Sequence, residues 1–154
     1  MIIADRVAPG KGRCNGLVVV NKMLTLKSSG RRQLIDLTSE VTRFVRDSNV
    51  KDGICIISVP HATAAIIANE HETGLLDDLL REIEKLFPES AAYSHNAIDD
   101  NADAHLASAF LGHTRTFPII NHEVIRGTWQ NIFFVELDGP RSRRDVVLQA
   151  IGDD

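Results

Sequence analysis

The side chains in this chain best suited to chemistry are its histidines. Five of the six fall between His61 and His113, in His61-Ala-Thr63-Ala-Ala-Ile-Ile-Ala-Asn69-Glu70-His71, Tyr93-Ser-His95-Asn96, Asn101-Ala-Asp103-Ala-His105, and at His113 itself. Imidazole is the commonest metal ligand and, with an unperturbed pKa of roughly 6.5, changes charge near neutral pH. Several imidazoles beside carboxylates and carboxamides read as a metal or acid–base centre. His61, His95 and His105 stand out because each is expected at or near an element end: a strand start, the turn before a helix, and that helix's face. Element ends are where sites are built. Three imidazoles with an open water position suit zinc, and a more carboxylate-rich set suits magnesium or manganese. Asn101 and Asp103, flanking His105, are candidates to fix its tautomer by hydrogen bonding from behind. His71 and His122 stand beside Glu70, Glu72 and Glu123, but sequence neighbours on a strand point to opposite faces, so these read as surface residues. His113 is likewise expected at the periphery.

Those residues need a scaffold, and the apolar pattern supplies one. Gly16 to Lys27 and Arg32 to Leu37 read as strands, rich in Val, Leu and Ile. Thr38-Ser39 then caps a short helix with Val41, Phe44 and Val45 on one face, ending before Asn49 to Gly53. Residues 53–59 and 62–68 are apolar runs that meet near Pro60-His61. From Thr73 to Phe87, Leu75, Leu76, Leu79, Leu80, Ile83 and Leu86 recur at helical spacing and Pro88 stops the pattern. Residues 101–112 make a further helix, ended by Gly112. Strands are expected at 116–120, 123–125, 128–137 and 144–151. Strands grouped at both ends of the chain favour an α+β fold with a mainly antiparallel sheet or sandwich, as a single domain.

Composition narrows the function. A chain of 154 residues is the length of one domain, and its 44% hydrophobic and 25% charged content is that of a soluble globular protein. No apolar run approaches the roughly 18–20 residues that span a bilayer, and no secretory leader is evident at Met1-Ile-Ile-Ala-Asp-Arg, so a cytoplasmic location is expected. Cys14 and Cys55 form no metal or redox motif, and Cys55, within Gly53-Ile-Cys-Ile-Ile, reads as a buried apolar residue. A net charge of −4 argues against nucleic acid as partner. One basic turn remains, Arg141-Ser-Arg143-Arg144 after Asp138-Gly-Pro140. Arg141 and Arg143 there could clamp a phosphate or diphosphate, or else pair with acidic residues at a subunit contact. Trp129, the single tryptophan, is either core or a stacking wall for a heteroaromatic ring, a role open to Tyr93 as well. No dinucleotide fingerprint, P-loop, nucleophile elbow or His-Glu-x-x-His is present, which removes the usual signatures of those chemistries.

His61-Ala-Thr-Ala-Ala, Asn69-Glu70, Tyr93-Ser-His95-Asn96, Asn101-Ala-Asp103-Ala-His105-Leu, Pro118, Gly127-Thr-Trp129-Gln130 and Glu136-Leu-Asp138-Gly-Pro-Arg141-Ser-Arg143 follow one another in an order that resembles the YjbQ family, the secondary thiamine-phosphate synthases. The resemblance covers residues 16–151, leaving 1–15 as an N-terminal extension to a domain of 16–154. It departs at Asn121-His-Glu-Val-Ile-Arg126, where the family carries a glycine- and leucine-rich lead into Gly127. It implies a homotrimer with the histidine-rich pocket near the subunit contacts, and a weak transferase activity joining a pyrimidine-methyl diphosphate to a thiazole phosphate with release of pyrophosphate. On that reading His61, His95, His105 and Glu70 are the catalytic candidates. The three histidines are also the candidate ligands of a divalent ion, zinc or magnesium. Asn101, Asp103, Tyr93, Trp129, Arg141 and Arg143 would face a small phosphate-bearing substrate. The alternative is a metal- or small-ligand-binding trimer without catalysis.

Overall fold

The structure, a computed structural model, describes residues 16–153 together with the strand backbones Ile2–Arg6 and Gly12–Cys14. It is a layered α+β domain built from ten strands and three helices within those residues. β1 (Ile2–Arg6), β2 (Gly12–Cys14), β3 (Leu17–Leu26), β5 (Asp52–Ser58), β7 (Thr114–Ile120), β8 (Glu123–Val124) and β10 (Arg144–Asp153) form one sheet in the order β1-β3-β10-β5-β7-β8, with β2 also on β3. β4 (Gln33–Asp36), β9 (Asn131–Glu136) and β6 (Ala64–Asn69) form a second, in the order β4-β9-β6. Every pairing is antiparallel. The extension expected at 1–15 therefore contributes two strands to the large sheet, while the side chain of Cys14 lies outside the described residues.

Burial explains the layering. In β6 and β9 both alternating sets are apolar: Ala64, Ile66, Ile132 and Phe134 join the core facing the large sheet, and Ala65, Ile67, Phe133 and Val135 join a second core. The small sheet is therefore a middle layer, and its strands read as continuous apolar runs rather than alternating ones. On its outer side lie α2 (Thr73–Leu86) and α3 (Ala102–Leu111), contributing Ile83, Ala104 and Ala107. On its inner side Cys55, Ile57, Phe117, Val146 and Leu148 of the large sheet meet Val41, Phe44 and Val45 of α1 (Thr38–Ser48). Cys55 is the small buried apolar residue expected, its thiol pushed up to about 12 by burial.

Local chemistry shifts some boundaries. Thr38 does not cap α1: Leu37 stands at the N-cap, the Thr38 hydroxyl accepts from Ile132 N at 2.9 Å, and Asp36 Oδ1 accepts from Thr38 N at 2.8 Å. Glu72, read as a surface residue, caps α2 by accepting from the backbone N–H groups of Gly74 and Leu75. The strand expected from residue 128 begins at Asn131, because Gly127 to Gln130 close a turn in which Gly127 N donates to Gln130 Oε1 at 2.7 Å. The neighbouring runs that become β5 and β6 enter different sheets, so the connection carrying His61 crosses between layers.

Candidate functional site

His95 and His105 come together. A short 3₁₀ turn, Ser94–Ala97, sits just before α3, and His105 lies one helical turn beyond the helix start, its N–H bonded to Asn101 O at 3.2 Å. The two rings stand 5.0 Å apart, inclined by 67°, so the edge of one faces the other. Tyr93, Ser94, Ala102 and Leu106 complete an open pocket of about 370 Å³ around them. That volume falls within the roughly 300–1,000 Å³ of small-molecule sites. Beside Ala102, Asn101 is buried; its amide donates to Asp138 Oδ2 and Asp99 Oδ2, each at 3.2 Å, and its Oδ1 has no partner. An orphaned buried acceptor costs about 1–3 kcal/mol until something donates to it.

His61 does not join them. Its Nε2 accepts from Asp145 N at 2.8 Å, which pins the β5–β6 connection to β10 and leaves the ring proton on Nδ1. Burial lowers its pKa first, then the charge of Arg144; both outweigh Asp145 and Glu136, so the ring is held neutral as an acceptor. Among the described residues no group of three or more His, Cys, Asp or Glu side chains is arranged to hold a metal ion. The expected triad of His61, His95 and His105 thus reduces to a pair, and two imidazoles fall short of the three or four ligands a zinc ion takes from a protein.

Asp103 also departs from expectation. Residues two apart on a helix do not share a face, so it turns from His105 and, almost wholly buried, accepts from Arg31 Nη2 at 3.0 Å and Arg32 Nη2 at 2.8 Å. The presumed anion clamp is occupied from within the chain. Arg141 Nη2 donates to Asp138 Oδ2 at 2.5 Å and its Nε to Asp138 O at 2.8 Å, and the side-chain bond to the Asp138 carboxylate raises its pKa further. Arg143 reaches both oxygens of Asp145 at 3.0–3.2 Å. Arg144, the third of the run, is buried and bidentate on Glu136 at 2.9 and 2.6 Å, with Thr63 Oγ1 at 3.0 Å. Glu136 also takes the Ser28 hydroxyl at 2.8 Å and the N–H groups of Leu137 and Asp138. Gly139 completes this knot: a side chain there would collide with the Gly30 carbonyl and the Glu136 side chain. Trp129 is not core: it stands 70% exposed in the turn before β9 and is not among the residues lining the histidine pocket. Glu70, half-buried just past β6, donates its backbone N–H to Asn69 Oδ1 and lies outside the histidine pocket.

Two histidines set aside as peripheral have specific partners. His71 Nδ1 meets Asp36 Oδ2 at 2.6 Å, with Asn131 Nδ2 on the same oxygen at 2.8 Å, and the ring sits edge-on to Phe133 at 5.3 Å. Burial raises the Asp36 pKa, but the bonds from Thr38, Asn131 and His71 outweigh it and hold the carboxyl below its ordinary value. Ser108 spends its single proton on Ala64 O at 2.7 Å, so His113 Nε2, 3.0 Å away, must donate to it. The first pairing joins residues 35 apart in sequence, and the second ties α3 to the connection just after it.

The comparisons agree with this architecture. Residues 22–153 match the family described as UPF0047 protein YjbQ-like. The chain belongs to the YjbQ-like UPF0047 family. A UPF0047 protein of Methanothermobacter thermautotrophicus is 47% identical, covering 82% of this chain and 88% of that one. A YbjQ-like protein of unknown function from Sulfolobus solfataricus P2 superposes with a TM-score of 0.88 at 46% identity, covering 89% of this chain and 99% of its own. A hypothetical protein of Aeropyrum pernix K1 gives 0.83 at 36% identity, covering 86% and 98% respectively.

Proposed function

We propose that this chain is a small-molecule transferase in which His95 and His105 manage protons, the reaction being of the secondary thiamine-phosphate synthase type. The observation that carries the reading is the imidazole pair, edge to face 5.0 Å apart in an open pocket beside Tyr93. In that reaction a thiazole nitrogen attacks the methylene carbon of a pyrimidine-methyl diphosphate. The carbon–oxygen bond breaks, and pyrophosphate departs more readily when a protonated imidazole donates to it. Tyr93, in the pocket lining, would lie along a heteroaromatic ring of the substrate.

We further propose a homotrimer in the cytoplasm. Exposed Ile98, Phe110 and Trp129 would find cover between copies, and no helix among the described residues is long and apolar enough to cross a membrane. Light scattering should give three times 17.0 kDa; a monomer rejects the assembly. For the activity, thiamine phosphate formed from the two substrates is compared between wild type and His105→Ala. A loss of about 10²–10⁴-fold is expected for removal of a general acid. Equal rates would overturn the assignment, and tight ligand binding without turnover in either protein would favour a ligand-binding role.

A further inference from the structure

Most arginines among the described side chains are neutralised. Arg31, Arg32, Arg81, Arg141, Arg143 and Arg144 each face a carboxylate within 4 Å, and Arg115 caps α3 by donating to Leu111 O and Thr114 O. Arg46 and Arg126 are not, and Arg43 is only weakly so. Among the described residues Arg46 and Arg126 meet no carboxylate at that range, and Arg43 has only Glu40 at 3.7 Å. All three line one groove.

Arg43 and Arg46 project one turn apart from α1, and Arg126 approaches from the segment after β8, its Nη1 held by Gln130 O at 2.9 Å. Ser39 and Thr42 add hydroxyls in a space of about 480 Å³. A second space of about 200 Å³ shares Thr42, Arg46 and Arg126 and runs on to His122 and Glu123. His122 is turned there by a hairpin whose tip, Asn121 and His122, has positive φ values of 51° and 66°. Three guanidinium groups share this groove with few acidic neighbours, Glu40 at 3.7 Å from Arg43 and Glu123 in the second space, so positive charge predominates there and would draw an anion. Their planar forks match phosphate oxygens two at a time.

We infer that this groove is a binding site for a small diphosphate-bearing ligand, gripped by Arg43, Arg46 and Arg126. It shares no lining residue with the pocket of His95 and His105, and it stands independently of the activity proposed for them.

The test is calorimetric titration of the full chain with pyrophosphate, repeated on Arg43→Gln/Arg46→Gln, on Arg81→Gln and on His105→Ala. Both groove arginines are exposed, and Arg43 has only a 3.7 Å contact with Glu40 on the same helix, so the double variant should melt close to the wild type. Wild type and Arg81→Gln should bind alike, His105→Ala should retain the groove-dependent binding, and the double variant should bind about tenfold or more weakly, the usual consequence of losing a charge-assisted hydrogen bond. The inference is overturned by no binding to the wild type at millimolar pyrophosphate, by equal affinity in the double variant, or by equal loss in Arg81→Gln. Selective loss in His105→Ala would move the phosphate site to the histidine pocket. A single-stranded RNA held by the groove and not displaced by pyrophosphate would equally reject a small-ligand site.

Discussion

The two arginine groups of this protein invert what the sequence suggests. Arg141, Arg143 and Arg144 are nearly contiguous and look like an anion clamp, yet Asp138, Asp145 and Glu136 occupy them. Arg43, Arg46 and Arg126 come from distant stretches, look like ordinary surface charge, and are the ones left without close neutralisation. Crowding along the chain measures only how near the charges are to one another. What they can bind depends on which carboxylates the fold brings opposite them, and here the contiguous set ties β9 to β10 while the dispersed set stays open.

If that contrast is right, substitutions should separate the groups by stability. The largest effect is expected for Glu136→Gln, which leaves Arg144 buried without its counter-charge and disturbs the Ser28 and Thr63 bonds around it. Breaking a buried pair from one side costs about 3–5 kcal/mol, read as a lower urea midpoint. A stability indistinguishable from wild type would mean the knot is not what fastens these strands. Asp145→Asn should do less, and in a pH-dependent way. Bonds from Arg143 and Thr25 hold the Asp145 carboxyl below the ordinary aspartate value of 3.8 against the opposing effect of burial. Its contribution is therefore complete above 3.8 and lost as pH falls through the lower folded value. The gap between variant and wild type should be widest near neutrality and close in acid; a gap that does not vary with pH would refute the ion-pair origin. The smallest change belongs to Arg43→Gln/Arg46→Gln, expected within about 0.5 kcal/mol of wild type. A marked loss there would show hidden neutralisation and erase the distinction.

Elements were more legible than encounters. The helix read at 73–87 appears as Thr73–Leu86, and the strand read at 144–151 as Arg144–Asp153, because each carries an unbroken apolar period between clear stops. The pairing of His95 with His105 was accessible because both lie close to the start of one helix. His61 was misleading: its place between β5 and β6 was correct, but a link between different sheets points where the layers dictate, and no local period records that. Asp103 failed for a geometric reason available beforehand, since a helix separates residues two apart onto different faces. The contact of His71 with Asp36 spans 35 residues, and that of Arg144 with Thr63 spans 81. Both depend on strand order, about which composition and spacing are silent.

The small sheet lies between the large sheet and the helices, and its centre strand β9 is bonded along both edges, to β4 and to β6. Water can reach the amides of Phe133 to Glu136 only if both neighbouring layers come away, whereas β8, two residues at a sheet edge, needs only a frayed hairpin. Deuterium should therefore enter β9 at the rate of whole-molecule opening and β8 far sooner. The hairpin beside the arginine groove can then rearrange around an incoming ligand while the middle of the protein stays shut.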